Sequence, residues 1–139
     1  MLDECAGITA KDTSLAAVRK SEELLRAVFN ASAELTCVST IFGVFVEAND
    51  AFCVACGRTR EEIIGQPGAA INLWVDLARR HEFLEMLGRD GFVCCFEADM
   101  RHVSGEVRRC QLSARVIKVD GAPLVVTTAK ETTDACQGF

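Results

Sequence analysis

The stretch NDAFCVACGRTREEIIGQPGAAINLW, Asn49 to Trp74, decides the fold of this chain. Asn49 stands directly before a short run carrying Phe52, where its side chain is suited to cap the orphan amides of a helix start. Thr59 followed three residues later by Glu62 has the spacing of a capping box, so a second short helix begins there and ends at Gly65. Pro67 and Gly68 then break the chain. Asp76 is placed to cap a third, longer helix through Leu87, with Leu77, Phe83, Leu84 and Leu87 approximating one apolar face. Gly88 to Gly91 ends it.

Outward from this segment the period changes from helical to two. Leu35 to Thr40 and Val44 to Ala48 are rich in β-formers and flank Gly43, as in a hairpin. Three strands are expected after the long helix: Phe92 to His102, Glu106 to Val119 and Ala122 to Lys130, with turns at Ser104-Gly105 and Asp120-Gly121. In the middle strand Cys110, Leu112, Ala114 and Val116 alternate with Arg109, Gln111, Ser113 and Arg115, the pattern of a sheet with one face on a core. Two strands, short helices and three strands make an α+β order. Ahead of it, residues 1–13 read as a tail, and residues 14–30 as a helix capped by Ser14. Leu15, Val18, Leu25 and Phe29 recur on that helix at helical spacing, with Glu22 interrupting. Residues 31–134 form the main domain and 135–139 a C-terminal tail or the start of a linker.

A chain of 139 residues, half of them hydrophobic and a quarter charged, is long enough for one domain with a packed core. Its net charge of −5 argues against a nucleic-acid partner. The adjacent basic pairs Arg79-Arg80 and Arg108-Arg109 read as parts of solvated faces. The start, Met1-Leu2-Asp3-Glu4, is acidic where a signal peptide is basic, and no apolar run approaches the length of a membrane span. A cytoplasmic location is expected, and a membrane anchor elsewhere in a longer parent would leave no trace in this segment. Eight cysteines are many, and without a secretory signal they are expected to be reduced. Cys37, Cys94, Cys95 and Cys110 fall in strand-like runs and read as small buried hydrophobes. Cys94 and Cys95, being adjacent, are expected on opposite faces. Cys53 and Cys56 form C-x-x-C, yet no further pair completes a four-ligand zinc set, so no metal is expected.

Catalysis finds little support. There is no phosphate-binding glycine loop and no G-x-S-x-G nucleophile setting, and tyrosine is absent. The chain reads as a non-catalytic domain.

The motifs, taken in order, resemble those of the PAS domain, a small sensory module. Asn49 and Phe52 match its N-x-x-F, Gly57 its first glycine, and Glu61-Glu62-Ile63-Ile64-Gly65 its E-E-[LI]-[IL]-G. Trp74-Val75-Asp76 with Arg80 matches W-V-D-x-x-x-R, Asp90-Gly91 the spacer before the third strand, and Glu131 to Thr133 the D-I-T position. The resemblance covers roughly Ser21 to Asp134. It implies a five-stranded antiparallel sheet whose helices enclose a cavity against one face, and a sensory role upstream of an output domain in a longer parent. Such parents include two-component sensor histidine kinases, diguanylate cyclases, phosphodiesterases and transcription regulators. Candidate pocket residues are Phe45, Phe52, Ile64, Trp74, Phe83, Leu87, Phe96, Leu112 and Val126, with Asn72 and Thr128 as polar contacts to a small-molecule ligand. The alternative is that these side chains fill the core with no ligand.

No cofactor is named by the residues. Haem-binding relatives carry an iron-ligating His on the helix before the third strand, where His81 lies; a gapless comparison puts Arg80 at that position. Light-sensing relatives place a reactive Cys after the second short helix, and residues 66–72 contain none. Helices like that of residues 14–30 often pair two subunits, so its apolar stripe is a candidate homodimer contact, the alternative being that it covers its own sheet. One departure stands out: many relatives place a lysine where this chain has Val103, which leaves Glu62 without that partner.

Overall fold

A computed structural model of the chain describes residues 2–68 and 70–132, with side chains from residue 15 onward. The chain forms two compact units, residues 1–31 and 32–139. The first is a single helix, α1 (Leu2–Ala31). It begins well before Ser14, which therefore lies inside the helix and is not its cap, and residues 2–13 are not a tail. No apolar period marks the helix over residues 2–13, so periodicity gives no sign of its start.

The second unit is built on five strands: β1 (Leu35–Thr40), β2 (Phe45–Ala48), β3 (Phe92–Arg101), β4 (Val107–Val119) and β5 (Ala122–Glu131). They form one sheet in the order β2-β1-β5-β4-β3, and every neighbouring pair is antiparallel. The alternation expected in β4 holds from Arg109 to Arg115: Cys110, Leu112 and Ala114 are buried, Gln111 and Ser113 are half-buried, and Arg109 and Arg115 are exposed. Val116, expected inward, is half-buried, and Arg108, on the Cys110 face, is exposed at the start of the strand. Val119 pairs with Ala122 across Asp120-Gly121, whose φ values of 52° and 80° are those of a two-residue hairpin with both turn residues left-handed.

Helices α2 (Asp50–Cys56), α3 (Arg60–Ile63) and α4 (Leu77–Asp90) lie between the second and third strands in sequence. Asn49 is fully buried. Its Oδ1 accepts from the amides of Phe52 and Thr36 (both 3.0 Å), and its Nδ2 donates to the carbonyl of Glu34 (2.9 Å). One side chain thus caps α2 and ties it to the start of β1. Both halves of the capping box on α3 are present, with Glu62 Oε1 2.8 Å from the Thr59 amide and Thr59 Oγ1 3.2 Å from the Glu62 amide. Glu62 is thereby engaged although Val103 stands at the usual lysine position. Asp76 caps α4 through the Ala78 amide at 2.9 Å. Phe83 and Leu87 carry the buried face of α4, whereas Leu77, expected on that face, is 64% exposed. As the first residue after the cap it starts the helix on its solvent side.

Two apolar clusters result. One joins Phe83 and Leu87 to Val93, Phe96, Leu112 and Val125, and the other joins Phe52 and Ile63 to Phe45, Ile71 and Leu73. Leu35, Trp74 and Met100 pack against both.

Strand β3 departs from strict alternation. Its register against β4 slips between Val93 and Phe96, and Cys95 has φ 56°. This bulge adds a residue without changing which neighbours face the core, so Cys94 and Cys95 are both exposed. They are neither buried nor on opposite faces, contrary to the period-two expectation. Cys37 and Cys110 are buried as expected, and Cys56 joins them. Burial pushes the Cys37 and Cys56 thiols up to about 12 and the Cys110 thiol to about 11, so all three are neutral and inert at physiological pH.

Asn49→Ala strands two amides and a carbonyl in the interior and is expected to destabilise the domain by about 2–4 kcal/mol, read as a lower urea midpoint. Brief iodoacetamide treatment of the native protein, followed by peptide mass mapping, is expected to label Cys94 and Cys95. Cys37, Cys56 and Cys110 should react only after denaturation; their rapid labelling in the native state would contradict the core described above.

Candidate functional site

A cavity of about 110 Å³ lies between the sheet and the helices of residues 32–132. Each contributing strand presents alternate residues: Leu35, Cys37 and Ser39 from β1, Cys110 and Leu112 from β4, and Val125, Thr127 and Ala129 from β5. Helix α2 supplies Phe52, Ala55 and Cys56, and α4 supplies Arg80, Phe83, Leu84 and Leu87. Phe45, Leu73, Trp74 and Met100 complete the apolar wall. The rings are in contact, Phe45 with Phe52 at 5.6 Å and Trp74 with Phe83 at 5.5 Å between centroids. A wall of packed apolar side chains suits a small apolar molecule.

Of the residues expected to line the pocket, Phe45, Phe52, Trp74, Phe83, Leu87 and Leu112 do so. Val126 and Thr128 do not. They sit on the opposite face of β5, and Val125, Thr127 and Ala129 take their place. The signal that could have found them is pairing parity: Leu112 stands opposite Ala129 in the ladder, so an inward Leu112 brings Ala129 inward too. Ile64 is the residue after α3 and is half-buried, while its neighbour Ile63 is fully buried in the core. Phe96 is buried behind the wall, edge-on to Phe83 at 5.3 Å. Asn72, with φ 55°, is exposed and lines an adjoining depression together with Gly68, Trp74, Arg80 and Arg101.

Among the described lining residues the charged side chains are Arg80, Arg101, Arg108 and Glu131, with His102 beside them. Near the end of β5, Arg108 is held between Glu131 (2.9 Å) and Glu106 (2.7 Å). By strand register the other end lies at the β1–β2 turn, where Gly43, Gly68 and Arg80 come together. Arg80 was expected on a solvated face. It is instead half-buried and borders both the cavity and the adjoining depression.

His81 does not approach the cavity. Its side chain is 77% exposed and its Nε2 lies 3.0 Å from Glu85 Oε1, one turn along α4. A turn of about 100° per residue separates it from Arg80, which faces inward. The residues present therefore do not fit haem ligated through His81. Among the described residues no group of three His, Cys, Asp or Glu side chains is placed to hold a metal ion. No helix of the described residues is long and apolar enough to cross a membrane. Thr133 and Asp134, expected at the exit toward an output domain, and residues 135–139 lie outside the described residues.

This architecture is shared with solved structures. A PAS domain from a two-component sensor histidine kinase superposes with a TM-score of 0.73 at 18% identity, over 82% of this chain and 98% of that one. The PAS domain of an HTR-like protein from Haloarcula marismortui gives 0.71 at 17% identity, over 86% of this chain and 98% of the other. The PAS domain of a LuxR-family transcriptional regulator from Burkholderia thailandensis, solved in complex with ethanol, gives 0.62 at 17% identity, over 76% of this chain and 94% of that one. Comparison with curated protein sequences gave no significant match. A family model described as PAS domain matches residues 34–134, the whole sheet and the helices that enclose its cavity, and the chain belongs to the PAS domain family.

Proposed function

We propose that this domain is a non-catalytic signal-input module that binds a small, largely apolar molecule in the cavity and passes its occupancy to an output domain of a longer parent protein. The observation that carries this reading is the cavity itself. Its wall is mostly apolar, its volume of about 110 Å³ approaches that of cavities known to take benzene, and few of its lining residues are charged. A relative of the same fold was solved with ethanol bound, which is a molecule of compatible size. Solvent-facing thiols at Cys94 and Cys95 suit a reducing, cytoplasmic compartment.

The relay follows from the course of β5. Val125, Thr127 and Ala129 touch the cavity, and two residues further on Glu131 ends the strand in an ion pair with Arg108. A ligand that binds one packing of the helices against this strand more tightly than another shifts the population toward it. The strain is then delivered at Glu131, where the chain leaves the sheet.

Helix α1 supports pairing with a second copy of the chain as a further part of this reading. Leu15, Val18 and Leu25 are 60%, 54% and 67% exposed, and they recur with Phe29 at helical spacing. Leu24 and Val28 are exposed as well and widen the stripe. An apolar stripe of this kind on a charged helix is the surface a parallel helix pair buries.

Saturating benzene is expected to raise the melting temperature of the wild-type domain and shift amide resonances of cavity-lining residues. Ala129→Phe, which fills the cavity, is expected to remove both effects while leaving the fold intact; unchanged benzene binding in that variant would sink the cavity reading. Leu25→Glu with Phe29→Glu is expected to yield monomers in sedimentation velocity, and an unchanged dimer would exclude this stripe as the interface.

A further inference from the structure

The arginines of residues 32–132 are accounted for one by one, with a single exception. Arg60, Arg79, Arg89, Arg108 and Arg109 pair with carboxylates. Arg58 donates to the Ile71 carbonyl, Arg101 to the Asn72 carbonyl, and Arg115 lies over the Phe92 ring. The guanidinium of Arg80 has no hydrogen bond, ion pair or ring contact among the described residues. It is nevertheless half-buried at the junction of the cavity and the adjoining depression. What sets Arg80 apart, in a chain with 20 acidic residues and a net charge of −5, is that its guanidinium has no partner of any kind among the described residues at this half-buried place.

The surroundings hold the guanidinium there. A Cβ placed on Gly43 would come within 2.9 Å of Arg80 Nη2, and Gly43 has φ +87°, so the β1–β2 turn leaves the arginine room that a side chain would take. Arg101 borders the same junction and has no carboxylate partner of its own among the described residues. Glu131, the one carboxylate among the described residues of the cavity lining, is at the other end of the β5 ladder and is already paired with Arg108. The site is therefore an apolar chamber with an uncompensated cation at its mouth.

Resting on the reading of the cavity as a ligand site, we propose that its ligand is a small monocarboxylate with an apolar body, the body in the chamber and the carboxylate on Arg80. Guanidinium matches carboxylate geometry with two parallel hydrogen bonds, and partial burial strengthens them relative to water. The limited volume restricts the body to about the size of a benzene ring or a short alkyl chain. Arg80 thus sets ligand class, selecting an anion over a neutral molecule of the same shape.

The test is a set of amide chemical-shift titrations of the purified domain, with benzoate and hexanoate set against benzamide and hexanamide, and with benzene reporting on the chamber alone. At least one carboxylate is expected to bind about ten- to a hundredfold more tightly than its amide. Arg80→Gln should reduce the carboxylate to the affinity of the amide, with the amide titrated into the same variant to report any change in the chamber itself, and Arg80→Lys should keep part of the preference. If benzene binds but neither carboxylate exceeds its amide, or Arg80→Gln binds the carboxylate as the wild type does, the anionic assignment falls and the cavity reading stands. If benzene also fails to bind the wild type, both fall. Should Arg80→Gln not fold, the wild-type ratio of carboxylate to amide affinity decides between support and rejection.

Discussion

The buried amide of Asn49 is the joint on which the rest of the domain depends. It satisfies the Phe52 amide at the start of α2 and the Thr36 amide and Glu34 carbonyl at the start of β1, while its own backbone amide donates to the Thr36 carbonyl. These groups would otherwise be left without partners in the interior, where each unsatisfied polar group costs about 1–3 kcal/mol. The joint therefore sets where α2 leaves the sheet. Phe52 and Cys56, on the buried face of the helix so anchored, form the near wall of the cavity.

The far wall is supplied by α4, and its orientation depends on a different device. Asp76 starts the helix and Gly91 ends it with φ 79°, so Phe83 and Leu87 lie against β3 and β4. The consecutive arginines of this helix then diverge. Arg79 turns outward over the Phe96 ring, bonding Glu82 and the Glu97 carbonyl. Arg80 turns toward the β1–β2 turn, and the next residue, His81, turns to solvent and Glu85. Three adjacent polar residues thus have three environments, because each step along a helix rotates the side chain by about 100°.

Thiol reactivity is kept off the cavity. Its own thiols, Cys37, Cys56 and Cys110, are held neutral by burial and act as small apolar groups. The exposed thiols, Cys94 and Cys95, are instead on the bulge of β3, away from the lining. Cysteine chemistry and ligand chemistry are therefore separated in this domain, although both arise on neighbouring strands.

Local signals determined much of the architecture. The caps at Asn49, Thr59 and Asp76, the left-handed turns at Gly65 and Asp120-Gly121, and the alternation in β4 each act within a few residues, so they are visible in the sequence and the structure carries them all. The start of α1 was not visible, because residues 2–13 carry no apolar stripe and so no period to detect. What only the tertiary structure decided was orientation. Whether Val125 or Val126 faces inward depends on the register of β5 against β4, and whether Cys94 and Cys95 share a face depends on a bulge. Whether Arg80 or His81 meets the cavity depends on the rotation of α4 about its axis. Each is a one-residue choice that leaves local propensity unchanged and is settled by packing against residues distant in the chain.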